Sequence, residues 1–135
     1  MRDVVLDSSA LLAHLQGEPA GARVREALAT ARRTGRSLLI NMVSVGEVYY
    51  LTVRRRGIEA AETFLRHLPT LPLRIVQNGY EEVLEAARVK ARHAIPYADA
   101  FVVATALRRN AVVMTGDSDF CPVASLIKIS RLSAR

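Results

Sequence analysis

The stretch Val4-Val5-Leu6-Asp7-Ser8-Ser9-Ala10-Leu11-Leu12-Ala13 decides the class of fold. A short apolar run ends at a carboxylate and gives way to a small-residue stretch with helical spacing, so Val4–Leu6 reads as a buried strand and the residues up to Leu15 as a helix. Ser8 or Ser9 stands where a helix cap is expected. The same handover recurs along the chain. Strands are expected at Ser37–Ile40, Leu73–Val76, Ala111–Met114 and Leu126–Ile129. Helices are expected at about 20–34, 43–55, 58–68, 80–93 and 98–108. The last of these is apolar almost all round, which marks it as central and buried.

Strands alternating with helices imply a parallel sheet covered on both faces. Right-handed crossovers then bring every strand-to-helix turn to one edge of the sheet. Asp7, Glu47, Asp99 and Asp117 belong to that edge, or to the first turn or two of a helix starting there. In open α/β sheets ligands bind at the carboxyl ends of the strands. At 135 residues the chain is expected to be one domain, 1–135, burying roughly two-thirds of its unfolded surface.

Each acid taken singly has a structural explanation, because acids near helix N-termini meet free N–H groups and the positive end of the dipole. Ser44-Val45-Gly46-Glu47 matches a capping box, and Asp117 is placed to cap the turn after its strand. Together the acids ask for more. Asp7 follows three apolar residues and Asp99 precedes Phe101-Val102-Val103, so both are poorly hydrated. Carboxylates converging without compensation are costly. A hard divalent cation resolves this, and oxygen-only ligands favour Mg²⁺ or Mn²⁺ over Zn²⁺. His14, His67 and His93 are scattered over separate helices. Cys121 lacks a nearby histidine base and reads as structural. No glycine-rich nucleotide loop follows the first strand, which argues against a dinucleotide-binding role.

Nineteen basic residues against thirteen acidic ones, with a pI of about 10.2, favour a polyanionic partner such as nucleic acid. Seventeen of those bases are Arg, a bias that genome composition alone can produce. Arg54-Arg55-Arg56 closes a helix, where cations favour the dipole, and reads as a solvated or partner-facing end, with RNA contact as the alternative. No run of about 18 apolar residues suggests a membrane span. The N-terminal apolar run is too short for a signal peptide. With one cysteine no internal disulfide can form, and the cytoplasm is the expected compartment.

Four segments resemble, in order and spacing, the motifs of PIN domains: Asp7-Ser8-Ser9-Ala10-Leu11, Ser44-Val45-Gly46-Glu47-Val48, Ala98-Asp99-Ala100-Phe101-Val102-Val103-Ala104-Thr105-Ala106, and Met114-Thr115-Gly116-Asp117-Ser118-Asp119-Phe120. The length is similar to VapC-type toxins of toxin–antitoxin pairs. The resemblance implies a three-layer α/β/α PIN-like domain with a central five-stranded parallel sheet. It also implies a Mg²⁺- or Mn²⁺-dependent endoribonuclease. Asp7, Glu47, Asp99 and Asp117 would form the acidic quartet, with Asp7 and Asp99 as main metal ligands. Asp119 matches a further acid, and Ser9 and Thr115 match polar positions that orient the acids. The implied partners are RNA, a cognate antitoxin and a second copy of the chain. Gly46 departs from the pattern, standing where a bulkier helix former is usual.

Two other functions fit parts of the sequence. A non-catalytic RNA-binding module would keep the fold and be indifferent to divalent ions. A phosphatase that forms an aspartyl-phosphate would use Asp7 as nucleophile, but such enzymes show a second Asp two residues on, where this chain has Ser9.

Overall fold

Short runs of Val, Leu and Ile become strands here because both faces of the sheet are covered. In a computed structural model, which describes residues 2–132, the strands are β1 (Val4–Leu6), β2 (Leu38–Asn41), β3 (Leu73–Val76), β4 (Val112–Thr115) and β5 (Lys128–Arg131). They form one sheet in the order β3-β2-β1-β4-β5, and every neighbouring pair is parallel. The helices are α1 (Ser8–Leu15), α2 (Ala22–Arg33), α3 (Met42–Arg56), α4 (Ile58–His67), α5 (Tyr80–Arg92) and α6 (Tyr97–Arg109). Residues 1 and 133–135 of the expected 1–135 domain lie outside the described residues.

Alternation along each strand builds two cores. Leu6, Ile40 and Met114 pack on one face with Leu11, Val24, Leu28, Val48 and Phe64 from α1 to α4. Val5, Leu39 and Val113 pack on the other with Val89 from α5 and Phe101 to Ala104 from α6. This is the expected three-layer α/β/α arrangement with five parallel strands. α6 is buried from Asp99 through Ala106, as its all-round apolarity requires. From β1 the chain moves outward through β2 to β3, then returns to β4 on the other side of β1. The strand order therefore reverses between β1 and β4, and their carboxyl ends open a crevice there.

Several local expectations need correction. Neither Ser8 nor Ser9 caps α1. The N-cap is Asp7, whose side chain accepts the Ala10 N–H at 2.9 Å. The capping box at Ser44–Glu47 does not form either. β2 extends to Asn41, and Asn41 caps α3 by accepting the Val43 N–H at 2.9 Å. Helix α3 therefore starts earlier than its apolar spacing suggested, Ser44 lies inside it, and Glu47 falls in the second turn. β5 begins later than expected because Ser118–Val123 winds into a 3₁₀ turn. Pro19–Gly21 likewise forms a 3₁₀ turn ahead of α2. The other boundaries differ by only a residue or two, as helix and strand ends commonly do.

Candidate metal centre

Asp7 leaves β1 in an extended conformation and turns its carboxylate into the crevice, where it is 2% exposed. Its neighbours hold it rigidly. Thr115, the last residue of β4, donates its hydroxyl to Oδ2 at 2.6 Å. Ser9 Oγ lies 2.8 and 2.9 Å from the two oxygens and shares one proton between them. The Ala10 N–H fills a further lone pair. Thr115 Oγ1 in turn accepts the Asp117 N–H at 2.9 Å, and Ser9 Oγ accepts the Gly116 N–H at 3.1 Å. The first motif is thus tied to the fourth across about a hundred residues of sequence. Burial pushes the Asp7 carboxyl above its ordinary range. The bonds from Thr115, Ala10 and Ser9 oppose this, and the Asp117 charge adds to it.

Asp99 sits in the first turn of α6 and is 6% exposed. Its Oδ2 is buried and has no hydrogen-bond partner among the described residues. Burial, followed by the charges of Asp7, Glu47, Asp117 and Asp119, pushes its carboxyl from 3.8 up to about 7. The carboxylates of Asp99, Asp117 and Asp119 each present an oxygen within 4.8 Å of the others. Asp117 caps the 3₁₀ turn by accepting the Asp119 N–H at 2.9 Å, so the cap and the cluster use one residue. Glu47, half-buried on α3, accepts the Ser8 hydroxyl on Oε1 at 2.7 Å. Its Oε2 has no hydrogen bond among the described residues.

Three of the five acids expected from the sequence, Asp99, Asp117 and Asp119, therefore stand within ligand distance of one another. Asp7 and Glu47 lie outside that trio but close enough for their charges to raise Asp99. The donor set fits a hard divalent cation. All donors are oxygens, Asp99 brings a buried oxygen with no hydrogen-bond partner, and the mutual repulsion has no ion-pair partner among the described residues. No histidine joins the cluster. Cys121 is exposed, and its Sγ accepts from the Arg131 guanidinium at 3.2 Å. Arg54 lies over the Tyr50 ring. Asp7 is not presented as a nucleophile, since it is buried and both its oxygens are engaged, which removes the structural basis for an aspartyl-phosphate enzyme.

Comparison with known proteins places the chain. The PIN domain model matches residues 4–126, and the chain belongs to the PIN family. Among solved structures, a chain of the DNA-bound VapBC complex from Salmonella typhimurium is similar with a TM-score of 0.76 and 18% identity, covering 98% of this chain and 100% of that one. VapBC2 from Rickettsia felis, bound to a promoter DNA fragment, gives 0.73 at 13% identity over 95% and 97% of the two chains. The sarcin–ricin loop cleaving toxin VapC20 of Mycobacterium tuberculosis gives 0.67 at 18% identity over 93% and 96%. At these identities the likeness is one of fold. No curated protein matches the sequence.

Proposed function

We propose that this chain is a divalent-metal-dependent endoribonuclease and the toxin of a VapBC-type toxin–antitoxin pair. The observation that carries the reading is Asp99: a buried carboxylate with one oxygen unbonded, clustered with Asp117 and Asp119 at the carboxyl edge of a PIN fold. Asp99, Asp117 and Asp119 would hold Mg²⁺ or Mn²⁺, with Asp7 and Glu47 completing the site. Held there, such a cation would supply acidification of a bound water and charge compensation for the phosphate. Glu47 Oε2, with Oε1 pinned by Ser8, is the free atom that would reach the cation, directly or through a water. Asp7 cannot turn, because Thr115 and Ser9 fix it, and it supplies a stationary negative charge. The cleavage products in this reading carry a 5′-phosphate and a 3′-hydroxyl.

The neighbours in fold supply the biological context. VapC20 is named for cleaving the sarcin–ricin loop, and several neighbours are VapBC complexes. By that likeness the partners are RNA, a cognate antitoxin and a second copy of the chain, in the cytoplasm. Among the described residues no helix is long and apolar enough to cross a membrane. The direct test incubates the purified protein with total RNA and Mg²⁺ or Mn²⁺, then maps the cut ends. Discrete cuts with those termini, lost in EDTA and in Asp7→Asn and Asp99→Asn variants, are expected. Undiminished cleavage by either variant, or in excess chelator, overturns the proposal.

A further inference from the structure

Glu47 and Asp99 stand on different helices, and the spacing between them depends on how α3 sits against α6. Among the described residues, the Asn41 side chain hydrogen-bonds to both helices. Asn41, 1% exposed, ends β2 and caps α3. Its Oδ1 accepts from the Val43 N–H and from Asn78 Nδ2, each at 2.9 Å. Its Nδ2 donates to Asn78 Oδ1 at 2.9 Å and to Thr105 Oγ1 at 3.0 Å. The Thr105 hydroxyl passes its own proton to the Phe101 carbonyl at 2.8 Å. An amide offers two lone pairs and two N–H groups, and Asn41 uses all four.

A helix cap needs only one of those bonds, and Ser or Asp would supply it equally well. The other three reach α6 and the β3–α5 connection. Only an amide can both pair reciprocally with Asn78 and donate to Thr105 without adding charge. The placement is symmetrical with respect to the acids. Glu47 lies six residues beyond Asn41 on α3, and Asp99 lies six residues before Thr105 on α6, each about 9 Å along its axis. The lock therefore stands at the same axial distance from both.

We propose that the Asn41–Asn78 amide pair is a positioning element that fixes the Glu47–Asp99 spacing, and through it the affinity of the acidic centre for a divalent cation. The inference rests on the metal reading given above. Its test measures Mn²⁺ binding by calorimetry, without RNA, in Asn41→Ser, which keeps a cap, and in the milder Asn78→Ala, on the half-buried connection. Affinity should fall about tenfold, the lower end of the range for partners one step removed from ligands. In a Glu47→Gln background the Asn41→Ser change should cost nothing further, because the two act through one spacing. Unchanged Mn²⁺ affinity in both variants, even with a lowered unfolding midpoint, overturns the inference and leaves the metal site standing. An undiminished loss in the Glu47→Gln background also overturns it. A wild-type protein that takes up no Mn²⁺ overturns the metal reading itself, and this inference with it.

Discussion

At the residue scale the centre is governed by one unsatisfied oxygen. Asp99 is protonated in the metal-free fold up to about pH 7 but only below 3.8 when unfolded. The folded state therefore binds the extra proton between those values, and the metal-free protein loses stability as pH rises from about 4 to about 7, with no further loss from this group above that. Cation binding must displace the same proton. Calorimetry in buffers of different ionisation enthalpy should detect release of about one proton per Mn²⁺ near pH 6 and little at pH 8.5. Asp99→Asn should cut that release and stabilise the metal-free protein at pH 8, read by chemical denaturation. Thr115 is the other decisive side chain. Thr115→Val strips a bond from Asp7 and an acceptor from the Asp117 N–H. It should cost about 1–3 kcal/mol, while Thr115→Ser keeps most of the stability. The acids themselves were legible in the sequence because each lies at a strand-to-helix handover or within the first turn or two of a helix. Which of them share ligand distance was not, because that depends on the turn at Ser118 and on hydroxyl partners brought from the other end of the chain.

At the element scale the sequence predicted strands and helices well, since their apolar periods are strong, and placed the caps poorly. Asn41 extends β2 and starts α3 at once, and nothing in the local pattern separates it from Ser44 as a cap. Its pairing with Asn78 joins the end of β2 to the β3–α5 connection, and their meeting depends on the β2–β3 register. Two glycines give a contrast at this scale. Gly46 lies inside α3 with nothing within 4 Å of where a Cβ would stand, so Gly46→Ala should raise stability by about 0.5–1 kcal/mol. Gly21 lets the turn before α2 approach α1, and an added Cβ there would meet the Ala13 carbonyl oxygen at 2.5 Å. Backbone cannot yield as a side chain can, so Gly21→Ala should destabilise by about 1–3 kcal/mol. Urea unfolding of the two variants checks both signs.

At the scale of the whole molecule, a chain of net charge +6 gathers five of its acids at one end of the sheet. A divalent cation should therefore raise the unfolding temperature more at pH 8 than at pH 5.5, where protons already relieve the repulsion, and thermal scans with Mn²⁺ or EDTA measure this. RNA binding by an Asp99→Asn variant should weaken steeply between 50 and 200 mM salt, because the chain's basic surplus supplies the attraction. The gathering of acids also has a consequence for timing. Asp7 is among the first residues made, yet Thr115 pins it and Asp117 and Asp119 cluster with its neighbour Asp99. During vectorial synthesis the nascent chain carries the earlier acids without their late partners. β1 lacks its neighbour β4 until the ribosome has passed residue 115. An incomplete polypeptide therefore lacks the assembled acidic centre, and termination anywhere before Thr115 leaves Asp7 without its pin and Asp99 without Asp117 and Asp119.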